Sequence, residues 1–236
     1  MTAEPLSTST RPSVRRAPVT GRFAGAGGLF FVAALITQNI LRASGPSFTA
    51  DPATVTSYFA DHPVAGLLPL AMFPLEMLAL FCFVAGLATR AIKEPAAQWW
   101  AALGVLAVVA IAGLFALVNI TEIVIAARGG ELIGSPQVVR AVWAIHSAAF
   151  GLNLGAIAIA LLGLSRAARA LRLIPRALAI AALPGASCLL VAAVFTVSIV
   201  VGGSWLYLGL IGFAVWGVFV VVTAATMLAG RQVSAS

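Results

Sequence analysis

The chain has 236 residues, of which 61% are hydrophobic and only 9% are charged. Because soluble domains carry about 25% charged residues, this composition excludes an ordinary soluble fold and predicts an integral membrane protein. The formal net charge is +7, but no basic patch with interleaved stacking aromatic residues accompanies it, so nucleic-acid binding is not predicted.

Six apolar runs occupy most of the chain, and each is long enough to cross about 30 Å of hydrocarbon as a helix. They predict an all-α bundle of six transmembrane helices, forming one domain over residues 23–230. The predicted spans are residues 23–41, 64–88, 99–127, 141–164, 177–201 and 205–229. Residues 1–22, rich in Ser, Thr, Pro and Arg, predict a disordered tail, and residues 231–236 a second tail. The first run is longer than a signal-peptide core of about 7–15 residues, so an uncleaved anchor is predicted.

The first connection, residues 42–63, contains a predicted short helix. Asp51 followed by Pro52 is a helix-start signal, because an Asp side chain caps the first turn and Pro has a preset φ. Pro63 marks its end. One face carries Val55, Tyr58, Phe59 and His62. The helix is therefore expected to lie apolar side down on the outer membrane surface as a connector, and a lid over an outward cavity is the alternative.

This order of a span, a short helix ending Tyr58-Phe59-Ala60-Asp61-His62 and a second long span resembles a loose group of uncharacterised actinobacterial membrane proteins. The similarity extends over residues 46–87. It implies a bacterial integral membrane protein with six spans, and it implies no activity, ligand or catalytic residue.

Glu76, in the middle of the second span, is the strongest candidate for a functional residue. Ionisable residues inside a membrane are costly and mark functional sites by default. No Lys or Arg lies near Glu76 in the sequence, so its carboxyl group must be neutral or find a distant partner. Pro69 and Pro74 precede it and can loosen the helix, which frees backbone carbonyls for a cavity.

Other polar side chains lie in the outer half of the neighbouring spans. They are Gln38, Asn39, Asn119, Glu122, His146 and Asn153. In the third span, helical spacing places Asn119 and Glu122 on one face of the helix. In the fourth span, it does the same for His146 and Asn153. With Glu76 they predict a polar funnel that opens outward, with Glu76 facing the two deeper amides, Asn119 and Asn153. Each residue also has an alternative interpretation without a binding role. Glu122 can be solvated, His146 can be a hydrogen-bonded core residue, and the amide side chains can join helices by hydrogen bonds.

Two further patterns concern packing and boundaries. Gly151 and Gly155 form a G-x-x-x-G pair on the opposite face of the fourth span, which predicts a close helix neighbour there. Trp143, near the outer end of the same span, is expected at the membrane interface, where Trp is enriched.

Basic residues set the predicted orientation. Eleven of the 14 Lys and Arg residues fall in the two tails and the second and fourth connections, and three fall on the other side. The positive-inside rule therefore places both termini in the cytoplasm.

The fourth connection contributes Arg166, Arg169, Arg172 and Arg176. Their helical spacing predicts an interfacial basic helix or helix extension in contact with anionic lipid headgroups. The strong preference for Arg over Lys, with much Ala and Gly, suggests a bacterial genome of high GC content. The protein is therefore expected in a bacterial cytoplasmic membrane.

No sequence motif identifies a reaction, and no Cys or His spacing predicts a metal site or a cofactor. The chain is therefore not expected to be an enzyme. The favoured hypothesis is binding or transport of a small molecule or proton through an outward-facing polar pocket, with Glu76 as its key group. One alternative is a non-catalytic membrane subunit or scaffold that contacts a membrane-protein partner. Another is a membrane-embedded metalloenzyme that uses His146 with Glu76 or Glu122.

Overall fold

The computed structural model describes residues 19–132 and 134–230, and this part of the chain is helical without strands. Its helices are α1 (Val19–Arg42), α2 (Pro52–Asp61), α3 (Pro63–Ala91), α4 (Pro95–Leu132), α5 (Pro136–Ala170), α6 (Arg176–Val194), α7 (Thr196–Val200) and α8 (Trp205–Ala229). Six of them, all except α2 and α7, are long and apolar enough to cross a membrane. The prediction of an all-α, six-span membrane bundle is confirmed.

Several boundaries differ from the predicted ones. Helix α1 begins at Val19, so four residues assigned to the tail belong to the helix, and the predicted tails at residues 1–18 and 231–236 lie outside the described residues. Helices α4 and α5 extend beyond their apolar runs at both ends. Apolarity marks where hydrocarbon begins, whereas a helix can continue into water because its backbone hydrogen bonds stay internal.

The prediction of one continuous fifth span over residues 177–201 is wrong. Helix α6 ends at Val194, Phe195 leaves the helical conformation, and α7 follows from Thr196. The Thr196 hydroxyl donates a hydrogen bond of 2.6 Å to the carbonyl of Ala193. The same kind of bond occurs inside unbroken helices, as from Thr121 to Val118 in α4, so it accompanies the break at Phe195 without explaining it.

The four arginines of the fourth connection do not share one basic helix. Arg166 and Arg169 lie on the last turns of α5, Arg172 lies in the turn with a left-handed φ of 57°, and Arg176 begins α6. The amide of Leu173 donates to the carbonyl of Ala168, which closes α5 as a Schellman motif does. Pro175 then prevents the helix from continuing, because it has no N–H. The predicted helix extension is correct only for the first two arginines.

Helix α5 lies at the centre of the bundle. Of its apolar window, 67% is buried, against 28% to 44% for the other five spans. A Cβ built at Gly163 would lie 2.8 Å from the carbonyl oxygen of Trp100 on α4, so the two backbones cross almost in contact. On the other side, Gly151 faces Thr196 and Gly155 faces Ala193. The predicted close neighbour of this glycine pair is therefore confirmed, and it is the α6–α7 segment.

The predicted short helix forms as α2. Asp51 caps it by accepting hydrogen bonds from the hydroxyl and the backbone N–H of Thr54, which lowers the pKa of the Asp51 carboxyl group. Its buried face, Val55 and Phe59, packs against α4 and α5. The expectation that this apolar face rests on lipid is wrong, because it covers protein.

Candidate functional site

Two adjoining cavities lie between α1, α3, α4, α5 and α8, toward the end of the bundle that carries α2. We call the larger one, of about 520 Å³, the outer chamber, and the smaller one, of about 60 Å³, the inner chamber. The chambers adjoin because they share six lining residues. These are Asn39, Arg42, Phe115, Phe150, Leu206 and Leu210.

Arg42 lies at the junction of the two chambers. Its Nη2 atom donates to Glu122 Oε2 at 2.8 Å and to Asn119 Oδ1 at 3.2 Å, and its Nη1 atom donates to Gln38 Oε1 at 2.9 Å. The guanidinium carbon also lies 5.3 Å from the ring centre of Phe115. The side chain is only 23% exposed. Arg42 is therefore a partly buried cation held by side chains of α1 and α4.

Sequence reasoning missed this role and counted Arg42 among the external charges that set topology. Its position at the end of the first apolar run favoured that interpretation. One signal was present: Arg42 follows Gln38 by four residues, which places the two on one helix face. A cation on the same face as a predicted intramembrane polar residue is a candidate for the site.

Gln38 and Asn39 have different roles although they are adjacent. Gln38 is fully buried, and its amide donates 2.8 Å to the carbonyl of Pro69 on α3, so it ties α1 to the proline-containing helix. It lines neither chamber. Asn39 lines both chambers, and its amide donates to the carbonyl of Leu35 within α1. Of the two, only Asn39 is positioned to contact a ligand.

Glu122 and His146 lie together on the wall of the outer chamber, and both are buried. His146 Nδ1 is 3.8 Å from Glu122 Oε1 and 3.4 Å from the hydroxyl of Thr121. The imidazole stacks on Trp143 with ring centres 4.2 Å apart, and Trp143 Nε1 donates to the carbonyl of Ser47. Trp143 is 5% exposed, so its side chain packs inside the protein. It orients the histidine.

Glu76 and Asn153 line the inner chamber from α3 and α5. Glu76 is 0% exposed and Asn153 is 7% exposed. Within the described residues, neither carboxylate oxygen of Glu76 has a hydrogen-bond partner, and the same holds for Asn153 Oδ1. Buried polar atoms are nearly always hydrogen-bonded, so three such atoms at one cavity are an exception that needs an explanation.

The expectation that Glu76 faces Asn119 is wrong. Asn119 donates to the carbonyl of Phe115 and accepts from Arg42, so its amide is used in supporting the guanidinium. Asn153 shares the inner chamber with Glu76, as expected, but no hydrogen bond joins them. The polar set therefore divides into a supporting group around Arg42 and an unsatisfied group in the inner chamber.

The proposed metalloenzyme gains no support from this arrangement. Within the part of the chain that the structure describes, no three His, Cys, Asp or Glu side chains come together as metal ligands. Glu122 and His146 line the outer chamber, and Glu76 lines the inner one.

At the opposite end of the bundle, Arg166, Arg169 and Arg176 surround a groove of about 370 Å³. The groove continues along the apolar side chains of Ile180 and Leu183 on α6. Arg172 does not line it. Comparisons of the chain with known protein families, with curated proteins and with solved structures return no match.

Proposed function

We propose that this integral membrane protein binds a small molecule in its two chambers, either to carry it across the membrane or to hold it there. One observation carries the proposal: Glu76 and Asn153, whose buried oxygens have no hydrogen-bond partner within the described residues, line the inner chamber, which adjoins the larger outer chamber. Burying a polar group without a hydrogen bond costs roughly 1–3 kcal/mol by protein mutational data. A ligand that satisfies these atoms offsets the cost of burying them.

The size and lining of the outer chamber support this proposal. Its volume of about 520 Å³ falls within the range of roughly 300–1,000 Å³ typical of ligand pockets, which are mostly apolar with a few polar groups. Tyr58 and Phe59 of α2 are among its lining residues. This position of α2 supports the alternative interpretation, that the helix is a lid over a cavity, over the interpretation that it is a simple connector.

The scaffold alternative loses one of its supports. It assigned the glycine faces and the segment from Arg166 to Arg176 to contacts with partners or lipids, but Gly151 and Gly155 pack against α7 and α6. These faces are used within the chain.

Retention of small molecules tests the binding function. Purified protein is incubated with a small-molecule extract of the expressing cells and washed, and the bound compounds are identified by mass spectrometry. We expect wild-type protein to retain a compound that Glu76→Gln and Leu206→Trp lose, because Leu206 lines both chambers and Trp would fill them. Val218→Trp is the matched control, since Val218 lies on the same helix and is 53% exposed, outside both chambers. Equal retention by all four proteins, or none by wild type, would contradict the proposal.

We further propose that the chambers open to the outside of a bacterial cytoplasmic membrane and that both termini lie inside. The unequal division of basic residues between the two sides supports this orientation. It would also place the groove of Arg166, Arg169 and Arg176 against the anionic headgroups of the inner leaflet.

Cysteine labelling tests the orientation. Cys82 and Cys188 are first replaced by Ala, and one cysteine is then introduced at Ser57 on α2 or at Lys93 between α3 and α4, both of which are exposed. A membrane-impermeant maleimide should label Ser57→Cys in intact cells, and Lys93→Cys only after the membrane is permeabilised. The reverse pattern would show that the chambers open to the cytoplasm.

A further inference from the structure

The charges that line the chambers do not balance. Arg42 is the only cation among the lining residues apart from the titratable His146, and it is already paired with Glu122 at 2.8 Å. Glu76 is thus a second carboxyl group with no cation of its own. An uncompensated carboxylate in a low-dielectric interior is too costly to persist. The inner chamber therefore requires one positive charge, either a proton on Glu76 or a cation beside it.

The hydrogen-bonding groups of the inner chamber point to the same kind of occupant. Among the fully buried side-chain atoms of the lining residues, three acceptor oxygens lack a partner, two on Glu76 and one on Asn153, against one donor, Arg42 Nε. A water molecule has two donors and no charge. A primary ammonium group has three donors, no acceptor and one positive charge. It therefore matches both the acceptors and the missing charge.

The shapes of the chambers suit an elongated amine. The inner chamber, at about 60 Å³, has room for a small polar head, since a single water needs roughly 10–15 Å³. The adjoining outer chamber is lined by Phe48, Phe115, Phe150 and Trp143. Aromatic walls bind apolar surface, so they suit the body of a ligand whose head lies deeper.

We propose that the ligand is an organic ammonium ion with an apolar body, held with its ammonium group at Glu76 and Asn153 and its apolar part in the outer chamber. This inference rests on the proposed function and specifies its ligand class. Glu76 supplies the charge and Asn153 the additional acceptor. Arg42 stays paired with Glu122 at the junction of the two chambers.

A series of simple probes tests this ligand class. Straight-chain primary alkylammonium ions, from butylammonium to octylammonium, are titrated into the full-length protein in nanodiscs of neutral lipid, and the matching alcohols are titrated in parallel. Empty nanodiscs give the background for partitioning into lipid. We expect wild type to bind the ammonium ions about tenfold or more tightly than the alcohols, because hydrogen bonds between charged groups are stronger than those between neutral groups.

Variants then locate the charge. Glu76→Gln should weaken ammonium binding about tenfold or more and leave alcohol binding unchanged, since the amide keeps the shape and removes the charge. Glu131→Gln, which removes an exposed carboxylate near the same end of the bundle, should leave both unchanged. Leu206→Trp should weaken both series and serves as a second variant if Glu76→Gln does not fold.

Three results would overturn the inference. Equal binding of alcohols and ammonium ions would show that the chambers do not discriminate between charged and neutral ligands. The inference would then fail, although the binding itself would still support a small-molecule pocket. Ammonium binding that survives Glu76→Gln but not Leu206→Trp would place the charge recognition elsewhere. If neither series binds while the wild-type protein retains a compound from cell extract, the ligand belongs to another class and the binding function stands.

Discussion

Replacing Glu122 by alanine is expected to destabilise the folded bundle by up to about 3 kcal/mol, because the change leaves the partly buried Arg42 without its hydrogen-bonded counter-ion, and breaking a fully buried pair costs about 3–5 kcal/mol. The two side chains are 6% and 23% exposed and their charged atoms are 2.8 Å apart. Asn119 and Gln38 also accept hydrogen bonds from the guanidinium, but they are neutral and cannot replace the lost charge. The measurement is the free energy of unfolding in bicelles, by steric trapping or denaturant titration.

The chain contains a matched control for this prediction. Arg128 and Glu131 form an ion pair at a similar distance, but their side chains are 64% and 69% exposed. Exposed pairs contribute about 0–1 kcal/mol, so Glu131→Ala should change stability little. Glu122→Gln keeps an oxygen that can accept from Arg42, so its cost should fall between the two. If Glu122→Ala and Glu131→Ala had equal effects, Arg42 would have to reach water in the folded protein.

The long helices were predictable because hydrocarbon thickness requires runs of about 20 apolar residues, a signal that each segment carries alone. The break at Phe195 was not predictable, because hydropathy gives no information about backbone angles and residues 177–201 form one apolar run. The turn at Arg172 was likewise hidden by regular arginine spacing.

The members of the candidate site could be chosen from their depth in the spans, but their partners could not. Glu122 and His146 meet in the outer chamber, and Glu76 and Asn153 in the inner one. The sequence paired Glu76 with Asn119, whereas Asn119 supports Arg42. A long Arg side chain at a helix end can extend to the interface or fold inward, and the choice depends on a carboxylate 80 positions away in the sequence.

Replacing Glu76 by leucine is expected to stabilise the protein by about 1–3 kcal/mol, since the change removes a buried group that has no hydrogen-bond partner. Glu76 is 0% exposed, and both of its oxygens are unpartnered within the described residues. Leucine has a similar size and adds apolar surface against Met77 and Leu80, which line the same chamber. The same variant should lose ligand binding, because functional groups are commonly retained at a cost in stability.

Asn119→Leu is the matched control, and the expected effect has the opposite sign. Asn119 is also buried, but its amide donates to Phe115 and accepts from Arg42, so leucine would leave polar partners unsatisfied. The expected loss is about 1–3 kcal/mol. Both variants are measured by unfolding in the same bicelles without added ligand. If Glu76→Leu destabilised the protein as Asn119→Leu does, Glu76 would have a permanent partner in the folded state, which would contradict its proposed role in binding. A gain in stability together with a loss of binding would instead identify Glu76 as a group retained for what it binds.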